Sequence, residues 1–219
     1  GLKELIPGVD QQTFIRDYIV SSETVGPTIA KDQASKAVWA ILLALVGMFF
    51  YIFFRFRRWQ FGLGSLVSLA HDVIVVLGLY SILQGVMPFS MDIDQSFIAA
   101  ILTVVGYSIN DTVVIFDRIR EYLPIYRKRT KREVYNMALN STLARTLNTG
   151  MATIFVLIVI FIFGGEVIRG FVFALLFGIV FGTYSSLFVS TPVLYETTRG
   201  KDDDEAVPVE AEKKKKIAG

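Results

Sequence analysis

The run AVWAILLALVGMFFYIFF, residues 37–54, has no charged side chain and no polar face at a 3.6-residue repeat. A second run, MATIFVLIVIFIFGG at 151–165, has the same character. A helix on the surface of a soluble protein keeps one polar stripe. A helix crossing the hydrocarbon core needs about 20 mostly apolar residues instead. These runs therefore read as membrane spans, and the chain as an all-α membrane protein. A hydrophobic share of 53% over 219 residues agrees with that class.

Five stretches meet the requirement, near 37–54, 61–83, 95–116, 147–164 and 167–194. His71-Asp72 interrupts the second and Asn110-Asp111 the third. The fifth is long, and Pro192 marks its end or a kink. The connection after the first span, RFRRW, carries Arg55, Arg57 and Arg58. The one after the third carries seven basic residues from Arg118 to Arg132, whereas QGVMPFSMDID after the second has none. By the positive-inside rule the basic connections face the cytoplasm, the N-terminal segment lies outside and the tail inside.

The flanks read differently. Residues 1–36 are polar enough to be the end of an external element leading into the first span, with a turn at Gly26-Pro27. The cytoplasmic linker 117–146 reads as two short helices separated at Pro124. The tail, 195–219, is charge-blocked and expected to be disordered. The chain begins with Gly1 and is expected to be a fragment or a processed product.

Net charge of +2 gives no reason to expect a nucleic acid partner. Without cysteine there is no disulfide or thiolate metal site, and one histidine excludes a multi-histidine metal centre within the chain. No cofactor is expected.

The charges within spans carry the functional reading. An ionised side chain at mid-membrane costs at least about 2.5–3.5 kcal/mol, so such groups face a partner, a cavity or the protein interior. Asp111 lies roughly 9 Å inside the edge marked by Asp117, at about 1.5 Å per residue. Arg145 precedes the fourth span near the same side and is placed to pair with Asp111 across helices. Burial favours a neutral carboxyl group and a nearby cation the charged one, so a mobile arginine would couple protonation to helix movement. The alternative is a static ion pair locking two helices. For His71 and Asp72, a proton relay and a neutral histidine bonded to a neighbouring helix both stand. Adjacent residues point about 100° apart on a helix, so these two are not expected to form one site. Asn110, Ser108, Thr112, Thr149 and Thr153 either line a polar path or bond their own helix carbonyls. Asp117 is expected at the solvated interface. Gly178 and Gly182, spaced as GxxxG, permit close helix approach to an unnamed neighbour.

VVGYSINDTVVIFDRIRE, LNSTLARTLNT and GGEVIRGFVFALLFGIVFGTYSSLFVSTPVL resemble the SecF part of the SecD/SecF protein-export membrane proteins. SSETVGPTIAKD and SLAHDVIVVLG extend the likeness over most of 21–194. The resemblance implies a five-span portion of a bacterial inner-membrane bundle of the resistance-nodulation-division type, where the family's SecF has six spans. It implies that proton motive force promotes translocation of preproteins through SecYEG, together with SecD or the SecD half of a fused chain. Asp111 of SINDT matches the family's proton-carrying acid and Arg145 of LARTLNT its charged partner. His71, Asp72 and Asp117 also match family motifs. The chain is accordingly expected to be a transport component rather than an enzyme. Its rivals are half of a small-molecule exporter and a non-transporting scaffold.

Overall fold

A computed structural model describes residues 27–198, and every regular element among them is helical. The first helix, α1, spans Pro27–Phe56 and opens on proline, whose missing N–H costs nothing at a first helical position. A two-residue turn leads to α2, Trp59–Leu83. Arg57 in that turn has φ 56°, a left-handed conformation that usually falls to glycine after a helix. The third helix, α3, spans Gln95–Ile125, and its Asp94 cap accepts a 2.8 Å hydrogen bond from Phe97 N. The fourth, α4, spans Lys131–Phe163 behind a reciprocal capping box of Thr130 and Glu133. Then come α5, Glu166–Ser185, a π-helical turn at Ser186–Ser190, and α6, Thr191–Thr198.

Five helical stretches are long and apolar enough to cross a membrane: Ser35–Phe56, Trp59–Leu83, Gln95–Ile125, Lys131–Phe163 and Glu166–Thr198. Their ends depart from the hydropathy boundaries. Segment 117–146 does not form two separate short helices: 117–125 prolongs α3, and 131–146 is the first half of α4. Pro124 ends α3 one residue later, as expected where an interior N–H is lost. At the other boundary, the expected external lead-in is already helical from Pro27. Residues 1–26 of that segment, and the tail beyond 198, lie outside the described residues.

The bundle is built around α3 and α5. Half of the apolar window of α3 and 56% of that of α5 are buried, against 22% for α1 and 17% for α4. The GxxxG pair explains the intimacy of the central helices. Gly178 lies against Val104 and Gly182 against Ser108, so two small residues one turn apart on α5 receive two side chains one turn apart on α3. At the arginine-rich end, Phe56 and Phe61 stack at 4.9 Å and Phe116 meets both edge-on, pinning the α1–α2 turn to α3. The π turn lies immediately before Pro192, whose ring would clash with the carbonyl four residues back in a regular helix. Gly64 of α2 lets the backbone at Ser190 come close, since an added Cβ would lie 3.0 Å from Ser190 O.

Candidate functional site: two intramembrane carboxylates

Asp72 is completely buried on the inward face of α2. Its Oδ2 accepts a 2.7 Å hydrogen bond from Ser108 Oγ of α3, and its Oδ1 lies 3.2 Å from His71 Nδ1. The two neighbours expected to point apart therefore meet, because the side chains reach back towards each other although their Cα–Cβ bonds diverge. Hydroxyls from three helices surround the carboxylate. Ser68 donates to Ser185 Oγ at 3.0 Å, Ser185 and Ser186 donate to Gly182 O, and Thr112 bonds Ser186 Oγ at 3.0 Å. Farther along, Ser190 and Thr191 donate to Ser186 O. All of these side chains are buried. Hydroxyls that rejoin their own helix satisfy their donors without water, which makes such a tract tolerable inside a membrane bundle.

Asp111 lies one turn along α3 from Ser108, about 60° around the helix from it, and is 5% exposed. Tyr107, one turn before it, bonds Thr149 O and Thr153 Oγ1 of α4 at 3.1 and 3.0 Å. Because α3 and α4 are joined by a short connection and run antiparallel, Asp111 lies level with Arg145 and Thr146. The two form no direct ion pair, and Arg145 is exposed at the helix surface. Asp111 Oδ2 makes no hydrogen bond with any described residue, nor do the buried hydroxyls of Thr146 and Thr183. Thr183 of α5 abuts Gly150, one turn from Thr146, so three helices each bring an unpartnered oxygen to the same region. Buried polar atoms are normally satisfied, and these three exceptions gather in one region of the bundle.

The other sequence candidates separate. Asn110 is exposed on the outer side of α3, and Thr149 bonds Arg145 O and Thr146 O of its own helix at 3.0 Å each. Asp117 sits at the arginine-rich end, 2.7 Å from Arg120 and 3.6 Å from Arg55, with both guanidinium groups over the Phe56 ring. It is half exposed and joins α1 to α3 at the boundary rather than entering either buried site. Sequence reading missed Ser65, Ser68, Ser185, Ser186 and Ser190. Their signal was spacing: Ser65, Ser68 and Asp72 share one face of α2 at three- and four-residue intervals, and TYSSLFVST repeats the pattern at the end of the last span.

The description "Protein export membrane protein SecD/SecF, C-terminal" matches residues 9–200. A protein translocase subunit SecF of Rhodothermus marinus is 54% identical over 178 residues, covering 81% of this chain and 58% of the relative. One from Rhodobacter capsulatus is 47% identical over 176 residues, covering 80% of this chain and 51% of the relative. The chain thus spans roughly half the length of the curated relatives it matches. A crystal structure of SecDF in the "Super-membrane-facing form" superposes with a TM-score of 0.67 at 32% identity, covering 94% of this chain and 26% of that one. This five-span bundle belongs to the SecD/SecF family of protein-export membrane proteins, and within it to the C-terminal domain of the SecF side.

Proposed function

We propose that this bundle is the SecF half of a proton-driven device that promotes preprotein translocation through SecYEG, working beside SecD. Asp111 is the proton-carrying group and Arg145 the charge that attends it. The observation that carries the reading is the unpartnered Oδ2 of Asp111, buried at the junction of α3, α4 and α5. A carboxylate held there purely as a structural tie would be expected to close its ion pair with the arginine on the facing helix. Instead the pair stands open and Arg145 is exposed, an arrangement with room for two states. In one, Arg145 swings in and neutralises a charged Asp111; in the other, a proton does so. Each state removes the same isolated charge from a poorly hydrated interior. Exchange between them couples a proton step to relative movement of α3 and α4.

The arginine-rich ends of α1 and α3 are placed at the cytoplasmic face of the bacterial inner membrane by the positive-inside rule, with the N-terminal segment on the periplasmic side. The outward apolar faces of α1 and α4, including Trp39, Leu43, Phe54 and Phe155, are suited to lipid and to the matching SecD bundle.

The test uses full-length SecF reconstituted with SecD and SecYEG in proteoliposomes. Preprotein translocation is measured with and without an imposed proton gradient. Asp111→Asn is expected to abolish the gradient-stimulated part while SecD still co-purifies. Unchanged stimulation would leave a scaffold. Proton-dependent efflux of small molecules without any effect on preprotein movement would point to an exporter.

A further inference from the structure

We infer that His71 and Asp72 form a second proton-binding site in the bundle, separate from Asp111, and that its occupancy is relayed to α5 through Ser108. The inference does not depend on the role proposed for Asp111.

The geometry supplies both a binding group and an outlet. Asp72 is fully buried, whereas the side chain of His71 is one-third exposed, so the pair runs from the bundle surface to its interior. Asp72 has no basic side chain other than His71 within ion-pair distance among the described residues. With His71 neutral and Asp72 charged, the pair carries one net negative charge. One proton, reaching His71 at the bundle surface and passed through Nδ1 to Asp72 Oδ1, brings the pair to zero. Nothing is oxidised or reduced, and the proton leaves by the same route.

The groups facing the pair from α1, α3, α5 and the π turn supply no competing charge, and α6, with Tyr195 and Glu196, meets α2 near its start, where Leu194 lies against Gly64. On α2, Tyr80 lies about two and a half turns farther along. The helix α3 contributes Ser108 and Thr112, with Asp111 turned towards α4. The described part of α5 and the π turn present Gly182, Ser185 and Ser186. On α1, the span packed beside α2 has only Tyr51 as a titratable group between 37 and 54, and Tyr51 is exposed. The described residues hold no cluster of three acidic, histidine or cysteine ligands, so a proton is a better occupant than a multivalent metal.

Ser108 is the relay because its hydroxyl has two acceptors in view. It donates to Asp72 Oδ2 at 2.7 Å and stands 3.5 Å from Gly182 O. When the proton rests on Oδ1, Oδ2 becomes the carbonyl oxygen of a neutral acid and a weaker acceptor, and the serine hydrogen turns towards Gly182 O. That carbonyl already accepts from Ser185 and Ser186, at the entrance to the π turn. An incoming donor displaces one of them. Ser68, 3.0 Å from Ser185, can receive the released hydroxyl. Proton occupancy on α2 thereby rearranges hydrogen bonds on α5 without any large helix displacement.

The experiment is infrared difference spectroscopy of the full-length SecF–SecD complex in lipid between acidic and alkaline buffers. It is run on the parent, Asp111→Asn, Asp72→Asn and His71→Gln. A carboxyl band that titrates in the parent, persists in Asp111→Asn and vanishes in Asp72→Asn is expected. In His71→Gln its pH midpoint should move. The His71 variant leaves Asp72 in place, so it remains informative if Asp72→Asn fails to assemble. A titrating band unaffected by both changes at this pair would overturn the inference. So would a band that responds to replacing sodium with choline at fixed pH, because the site would then hold sodium rather than a proton.

Discussion

Gly178→Ala should destabilise this bundle, and more than Gly106→Ala does. A Cβ built at Gly178 falls inside the contact distance of Val104 Cγ2 and also lies 2.9 Å from Cγ1. Val104 cannot easily yield, since it is 1% exposed and its β-branched side chain has one strongly preferred rotamer in a helix. Overpacking of this kind costs about 1–3 kcal/mol. Alanine also gains about 0.8–1 kcal/mol of helix propensity over glycine, which blurs a comparison with the parent. Gly106→Ala provides the reference: a Cβ there meets nothing within 4 Å, so it receives the propensity gain without the clash. The difference between the two variants isolates the steric part, about 1–3 kcal/mol.

The assay is equilibrium unfolding or thermal inactivation of the full-length protein in one detergent, with both variants side by side. Adding Val104→Ala to Gly178→Ala should restore part of the loss, giving a coupling energy of about 0.5–3 kcal/mol in a double-mutant cycle. Equal stability of Gly178→Ala and Gly106→Ala would refute the close α3–α5 approach. So would strict additivity of Gly178→Ala and Val104→Ala.

Three smaller perturbations probe the elements that place the two acids. Tyr107→Phe removes the hydroxyl linking α3 to α4 and should cost about 1 kcal/mol in the same unfolding assay, with expression unchanged. Asp94→Ala removes the cap of α3 and should cost about 1 kcal/mol, while Asp94→Asn retains most of it. Arg57→Gly relieves a left-handed non-glycine residue costing about 1–2 kcal/mol. It also gives up about 0.4–1 kcal/mol through the more flexible unfolded chain. A small rise in melting temperature is expected, and a fall would show that the arginine holds the turn by other contacts.

The five spans were legible because a bilayer imposes a length and an apolar composition that soluble sequences rarely sustain. That signal stops where water begins. Residues 117–125 and 131–146 are helical but polar, so hydropathy ended the third span near Phe116 and began the fourth at Leu147, while the helices run on. The GxxxG motif declared a close contact without naming α3, since two glycines specify the space available and not what fills it. Asp111 stands out in the sequence as a charge inside an apolar span, and Arg145 as a cation just before the next one. Their open geometry depends on which way each side chain leaves its helix, which composition does not encode. The serines were harder still. A hydroxyl in a membrane helix bonds its own backbone at little cost, and only the bond to Asp72 distinguishes Ser108 from ordinary ones.

The two carboxylates share α3 and α5 as neighbouring helices. Along α3, Ser108 and Thr112 face α2 and the π turn, while Tyr107 and Asp111 face α4. Along α5, Gly182 closes on Ser108 and lies towards Asp72, while the next residue, Thr183, closes on Gly150 beside Thr146. A slide or rotation of α5 against α3 would therefore alter both environments together. That contact is tight, since a Cβ at Gly178 would overlap Val104. Its surface is glycine against a short side chain, and the following π turn already departs from regular helical bonding next to Pro192. By contrast, Phe56, Phe61 and Phe116 clamp α1 and α2 to α3 at the arginine-rich end. The aromatic clamp and the glycine seam thus hold α3 from two sides. Any coupling between the two acids would have to pass through the helices they share, and a double-mutant cycle of Asp72→Asn with Asp111→Asn would measure it.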